Sequence, residues 1–308
     1  MCRRINIFIP VLFVSYIVMS MLIGIIIGVT GVNLPLWVNY ILGEVLIVLP
    51  AFIYVILFKI NIIKCMPYRK LKVTDGVLSL LIGYMLIPLV LFVSNLTTLF
   101  STNYLQDSMS ELTSYPFLVQ LFLIAVVPAV VEEFVFRGLI YHSYRKNGIL
   151  GAAVLSAVVF GFMHLNINQL SYALIMGVVF ALMVEVTGSM YSSMLAHFAV
   201  NSYSITMLKL LTMVSGEAAL TEQSASLADF PLPVIIAELI FLAVFAIGFL
   251  GIAFLLFKKM AVRNGRWDYL ICQMKKGIKP QNGESFLTAP LLVALITVFI
   301  YMIQMEIF

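Results

Sequence analysis

Apolar residues in this chain come in long, nearly uninterrupted runs. They show neither the alternation of a half-buried strand nor the one-sided stripe of a surface helix. About 20 apolar residues carry a helix across the hydrocarbon of a bilayer. Runs of that kind lie at about Ile5 to Thr30, Leu36 to Phe58, Gly76 to Leu99, Pro116 to Tyr144, Ile149 to His164, Leu170 to Val186, Met190 to Met213, Leu232 to Phe257 and Phe286 to Ile307. Helix-breaking or charged residues close them, such as Gly31 to Pro35, Lys59 to Lys72, Arg145 to Gly148 and Thr187-Gly188-Ser189. The pattern predicts an all-α fold, a polytopic transmembrane helix bundle of about 8–9 spans, with its polar site in a cavity among the central helices. Three parts are expected: N-terminal spans in 1–115, a core in 116–213, and C-terminal spans in 214–308 with an inner basic loop at 258–279.

Charge sets the orientation. With the N-terminus inside, the inner segments hold Arg3 and Arg4, the basic residues from Lys59 to Lys72, Arg145 and Lys146, and those from Lys258 to Lys279. Only Arg137 and Lys209 of the 18 basic residues fall elsewhere, both within spans, while the outer loops carry Asp107, Glu111, Glu217, Glu222 and Asp229. That is the positive-inside distribution, and it predicts a multi-pass integral membrane protein with a cytoplasmic N-terminus. Composition agrees: 63% of the 308 residues are hydrophobic and 10% charged, with mean hydropathy +1.10, which leaves no room for a separate soluble catalytic domain. Cys2, Cys65 and Cys272 form no CxxC pair and suggest neither a disulfide framework nor a thiolate metal site.

Against this background the stretch Ala129 to Arg137, AVVEEFVFR, is anomalous. Each ionised group near the bilayer centre costs roughly 2.5 to 3.5 kcal/mol on insertion scales, so two carboxylates and a guanidinium there need partners or a task. Glu133 and Arg137, at i and i+4, share a helix face and can pair, which leaves Glu132 pointing elsewhere. Two downstream stretches supply further polar groups, Phe160 to His164 (FGFMH) and His197 to Asn201 (HFAVN). At 1.5 Å rise, Glu132 and Glu133 sit roughly 21 to 22 Å from the Asn147 turn and His164 roughly 25 Å, so the two spans bring them to similar depth. His197 and Asn201, roughly 14 and 20 Å from Gly188, can reach the same cavity. Pro128, just before the glutamates, is expected to open the helix.

A carboxylate and an imidazole at hydrogen-bonding distance can hold a water and take its proton. A second imidazole and a side-chain amide can donate to an oxygen that becomes negative. Such residue types suit acyl hydrolysis by an activated water. Taken singly, each has a plainer reading: an Arg-neutralised carboxylate pair, interhelical hydrogen-bonding histidines, an asparagine as polar glue, and Phe160 as packing. Glu44, Glu185 and Glu238 are solitary intramembrane acids and read as local pairing or lining groups, with Glu44 or Glu238 open to a place on a substrate path. Gly188-Ser189 and Ser192-Ser193 lack the spacing of a serine dyad.

The segments EEFVFR, FGFMH and HFAVN resemble, in order and without substitution, the Glu-Glu-x-x-x-Arg, Phe-x-x-x-His and His-x-x-x-Asn motifs of the CAAX-protease and bacteriocin-processing (Abi) family, the type II CAAX prenyl endopeptidases. The resemblance covers about Leu121 to Ser202. It implies a membrane-embedded endopeptidase in which Glu132 and His164 activate water and His197 and Asn201 bind the oxyanion. Glu133, Arg137 and Phe160 would support the site. It also implies a membrane-associated or hydrophobic peptide or protein as substrate, prenylated and leader-type peptides among the candidates, and the lipid bilayer as partner, with no nucleic acid. A cofactor-free mechanism is expected. The alternative is Zn²⁺ on Glu132, His164 and His197, although no HExxH helix is present. Two other functions use the same residues: a non-catalytic immunity or peptide-binding protein, and a proton-coupled transporter, against which stands the absence of an internal repeat.

Overall fold

The computed structural model describes residues 2–62, 66–101, 112, 114–215, 230–283 and 285–307, so the outer-loop acids Asp107, Glu111, Glu217, Glu222 and Asp229 lie outside the described residues. Ten helical rods account for nearly all of it. They are α1 (Cys2–Thr30), α2 (Leu36–Leu57), α3 (Val73–Thr97), the composite α4 (Phe117–Asn147), α5 (Ile149–Met163), α6 (Ile167–Thr187), α7 (Met190–Ser215), α8 (Leu232–Arg263), α9 (Trp267–Lys275) and α10 (Ala289–Ile307). Each of the nine apolar runs is a helix.

Seven of these helices are long and apolar enough to cross a membrane. The other two runs depart from the simple span rule for physical reasons. Helix α5 has 15 residues, or about 22 Å at 1.5 Å per residue, and is buried on nearly every side by protein, so lipid thickness does not set its length. Helix α7 carries Ser192, Ser193, His197, Asn201 and Ser202, which its packed neighbours make tolerable. At the C-terminal end, α8 continues past Phe257 to Arg263, so Lys258 and Lys259 ride on the helix rather than in a loop. Gly265, at φ +64°, turns the chain into α9, whose buried Leu270 docks an otherwise basic, aromatic segment. Its return is pinned by Gln281 N–H donating to Asn147 O at 2.8 Å and Asn282 N–H to Asn147 Oδ1 at 3.0 Å.

Burial sorts the bundle into layers. Only 11% of the apolar window is buried in α1 and in α8, against 56% in α6, so α1 and α8 face lipid and α6 lies inside. Helix α1 packs against both α2 and α10, and α2 against α4; α3 takes α7 and α8; α6 runs between α5, α3 and α7. Two apolar clusters result. One joins α1, α2, α4 and α10, the other α3, α8 and α9, and α5, α6 and α7 contribute to both. Where backbones approach most closely the residue is glycine: a Cβ on Gly83 would stand 2.5 Å from the Ala196 carbonyl oxygen, and one on Gly177 would stand 2.7 Å from Ala157 Cβ. Small residues at such crossings replace the hydrophobic drive that lipid removes.

The α3–α7 crossing gives a direct test. Gly83→Ala must push α7 aside and is expected to cost about 1–3 kcal/mol, as overpacking does. Gly248→Ala, with nothing within 4 Å, should be silent. Thermal unfolding of both variants in detergent separates them, and equal melting would contradict this packing.

Candidate active site

Helix α4 is not regular. Ordinary α-turns at Phe117–Leu121 give way to wide π-turns at Phe122–Val126; α-turns resume at Val127–Glu133, and a second π-segment follows at Phe134–Tyr141. The cause is legible at Pro128, which has no N–H to offer the carbonyl of Ile124 four residues back. That oxygen is satisfied from another helix: the Asn201 side-chain amide donates to Ile124 O at 3.1 Å. The two glutamates thus sit on a short α-helical segment between two widened ones, an irregularity typical of functional sites.

Around this segment the predicted residues gather. The Arg137 Nη1–H donates to Glu133 Oε1 at 2.7 Å, both side chains fully buried, so the i, i+4 pair forms even though Arg137 lies in the second π-segment. The same Glu133 oxygen takes a hydrogen bond from His197 Nδ1–H at 3.0 Å, fastening α7 to α4. Among the described residues Arg137 Nε and Nη2 have no hydrogen-bond partner; instead the guanidinium lies 4.3 Å from the centre of the Phe160 ring and 5.3 Å from that of Phe180. Ring faces are the remaining way to stabilise a cation in an apolar interior. Phe180 also stacks on the His197 imidazole at 5.4 Å, and Phe160 meets both His164 and His197 edge-on. Phe160, expected to shape the wall, is thus the ring shared by Arg137 and both histidines.

Glu132 points the other way. Its Oε2 is 3.5 Å from His197 Nε2, and a hydrogen bond between them needs a proton on one of the two. The rest of its carboxylate lines a cavity of ≈ 230 Å³, together with His164. That is room for several waters. His164 closes α5 and donates Nδ1–H to the Phe160 carbonyl at 2.9 Å, which leaves Nε2 as the nitrogen with a free lone pair. The next residue, Leu165, is held at φ +52°, a conformation rare for a leucine, and Asn166 then caps α6 by accepting from Gln169 N–H at 2.8 Å.

Of the predicted set, the structure brings Glu132, Glu133, Arg137, Phe160, His164 and His197 into one cluster. It places Asn201 one turn beyond, turned to the α4 backbone. Sequence reasoning named Glu44 of α2 as a lining or substrate-path residue and missed the rest of the far wall of the cavity: Tyr16 from α1, Asn39 and Tyr40 from α2, and Gln169 from α6. The i, i+4 spacing of Tyr40 and Glu44 on an apolar helix was the available signal. Phe180 carried none beyond its ring.

Other polar groups have structural tasks. Glu185 accepts from Tyr141 OH at 2.9 Å and from two nitrogens of Arg145, with Arg266 at 3.6 Å, tying α4, α6 and the α8–α9 turn together at one end. Glu238 accepts from Asn95 at 3.1 Å, joining α8 to α3. Ser189, Ser192 and Ser193 all donate to backbone carbonyls. Among the described residues no three of His, Cys, Asp and Glu are arranged to hold a metal ion, so Glu132, His164 and His197 are not drawn together as a ligand set.

Residues 114–203 match the family model of the Rce1-like type II CAAX prenyl endopeptidases, a stretch that contains all three motifs and the helices that carry them. The central segment is similar to that family. Over 84 residues the chain is 29% identical to the "Putative membrane peptidase YdiL" of Bacillus subtilis (strain 168), a match that takes in 27% of this chain and 34% of that protein. The chain therefore matches about a third of the length of this curated relative. No solved structure matches significantly.

Two measurements follow. Arg137→Gln leaves Glu133 buried without its cation and is expected to cost about 3–5 kcal/mol of stability, part of which Glu133→Gln restores in the double variant. Full additivity would contradict the pairing. Asn201→Ala should destabilise the wild type by about 1–3 kcal/mol through the orphaned Ile124 carbonyl, and less in a Pro128→Ala background, where residue 128 supplies its own N–H. A double-variant cycle in detergent reads both.

Proposed function

We propose that this chain is an intramembrane endopeptidase that hydrolyses a peptide bond of a membrane-associated or hydrophobic peptide with a water activated by Glu132 and His164. The observation that carries the reading is that these two side chains, from different helices, line one water-sized cavity in the apolar layer. The match of residues 114–203 to the family model of the Rce1-like type II CAAX prenyl endopeptidases supports it. We place the N-terminus and the basic segments on the cytoplasmic side, from the distribution of lysine and arginine.

In this mechanism the Glu132 carboxylate takes a proton from the water as its oxygen adds to the scissile carbonyl, with the free nitrogen of His164 holding that water in line. His197 Nε2, beside Glu132, is the nearest ring nitrogen for the carbonyl oxygen as it becomes negative, provided that it carries a proton. When the C–N bond breaks, the proton held on Glu132 passes to the departing amine nitrogen. Glu133 and Arg137 keep His197 in its orientation, since its Nδ1–H is committed to Glu133. Asn201 acts one step further back by holding α4 open at Pro128; its second amide hydrogen is what remains for the oxyanion. The three named parts of the chain then divide the work, with the chemistry in 116–213 and substrate selection in the flanking spans of 1–115 and 214–308.

The test is cleavage of fluorogenic hydrophobic and prenylated peptides by purified protein in detergent. Glu132→Gln and His164→Ala are each expected to lower kcat by about 10²–10⁴-fold while the helical fold persists. Chelator is expected to leave the rate unchanged. Full activity of Glu132→Gln would overturn the mechanism, and chelator-sensitive activity restored by Zn²⁺ would assign the metal variant.

A further inference from the structure

Most of the wall of the cavity opposite Glu132 is made by α1 and α2, which lie outside the segment that matches the protease family. Its most unusual member is Glu44. This carboxylate sits mid-way along α2, an apolar helix in which it is the only charged residue, and its Oε2 is buried without a hydrogen-bond partner among the described residues. Among the described residues no lysine or arginine lines the cavity, and Arg137 is committed to Glu133. Among the described residues, two carboxylates therefore line one cavity with no lysine or arginine beside them. Asn39, Tyr40 and Gln169 add further oxygens that can accept. Such a lining matches a group that brings both a positive charge and several N–H donors: the three of an ammonium or the five of a guanidinium.

We infer that Glu44 is a specificity residue: it receives a lysine or arginine side chain of the peptide substrate, placed within a residue or two of the bond that Glu132 and His164 would cut. The inference rests on the proposed role of that pair, because the subsite and the candidate chemistry share one cavity. It assigns a substrate class, a hydrophobic peptide with one basic residue beside the scissile bond, and it gives α1 and α2 the task of choosing it. An isolated carboxylate in hydrocarbon is costly, and a substrate cation that arrives with its own donors offsets that cost only when bound, which turns the burial of Glu44 into selectivity.

The test uses the full-length protein in detergent and a pair of otherwise identical fluorescent peptides, one with lysine at the position beside the cleaved bond and one with norleucine, which keeps the chain and drops the charge. The wild type is expected to prefer the lysine peptide by at least about tenfold in kcat/KM, the scale of a lost buried charge partner. Glu44→Gln should bring that ratio close to one, and Glu44→Asp, which keeps the charge, should restore much of it. Binding of the same peptides, read by fluorescence anisotropy, should show the same Glu44-dependent preference whether or not hydrolysis occurs, so failure of the protease reading is separated from failure of this one. A wild type that binds and cleaves both peptides equally would overturn the inference. So would a Glu44→Gln variant that lowers both rates together and keeps their ratio, since that outcome assigns Glu44 to proton handling or to folding.

Discussion

The site depends on a buried guanidinium that cannot be left unsatisfied. Arg137 is wholly enclosed in a protein whose outer surface faces lipid, and water cannot solvate it there. Its charge is met by Glu133 at 2.7 Å and by the faces of Phe160 and Phe180. Those partners come from α4 itself, α5 and α6, and Glu133 in turn binds His197 of α7. Satisfying one cation thus fixes the relative rotation of four helices. The two catalytic-type histidines are held as a by-product, because the Phe160 ring that covers Arg137 also packs against both. Gly177 belongs to the same constraint: a Cβ there would touch Arg137 Nη2 at 3.4 Å as well as Ala157.

Backbone irregularity makes that arrangement possible. A regular helix through Pro128 would strand the Ile124 carbonyl in the apolar layer, where an unsatisfied group is costly. Two departures absorb it, the widened turns before Val127 and the amide of Asn201. The second π-segment then carries Arg137 through Tyr141, so the i, i+4 reach from Glu133 to Arg137 survives a change in turn size. Asn201 is therefore placed by α4 as much as α4 is placed by Asn201, and its likeness to an oxyanion donor in the family motif coexists with a structural bond made across helices.

The helices, their order and the cluster of motifs were legible in the sequence, because hydrophobic runs of span length and misplaced charges both violate what lipid tolerates. Glu133 with Arg137 followed from spacing alone. Glu132 with His164 followed from estimated depth, and the cavity both line agrees with it. What was not legible has a common physical character. The far wall of the cavity comes from α1 and α2, whose rotation toward α4 is set by packing between helices that each look uniformly apolar. Periodicity cannot say which side of such a helix faces protein, so Glu44 read as a pairing or lining group open to a place on a substrate path, with its neighbours across the cavity hidden. The extension of α8 to Arg263 was hidden for a different reason: lysine and arginine end an apolar run without ending a helix, since both are good helix formers.

The adjacent glutamates show why the motif needs two acids rather than one. Successive residues on a helix point about 100° apart, so Glu132 and Glu133 cannot share an environment. One direction leads to Arg137 and His197, where a carboxylate is fully enclosed; the other leads to a cavity with room for water, where Glu132 keeps 8% of its surface exposed. A single glutamate facing Arg137 would balance the charge and leave the cavity without a base. A single glutamate facing the cavity would leave the guanidinium unpaired and the Nδ1–H of His197 without its acceptor. The positions are therefore not interchangeable: charge neutrality of the buried cluster is set by Glu133, and only on that condition is Glu132 left free to exchange a proton with whatever the cavity contains.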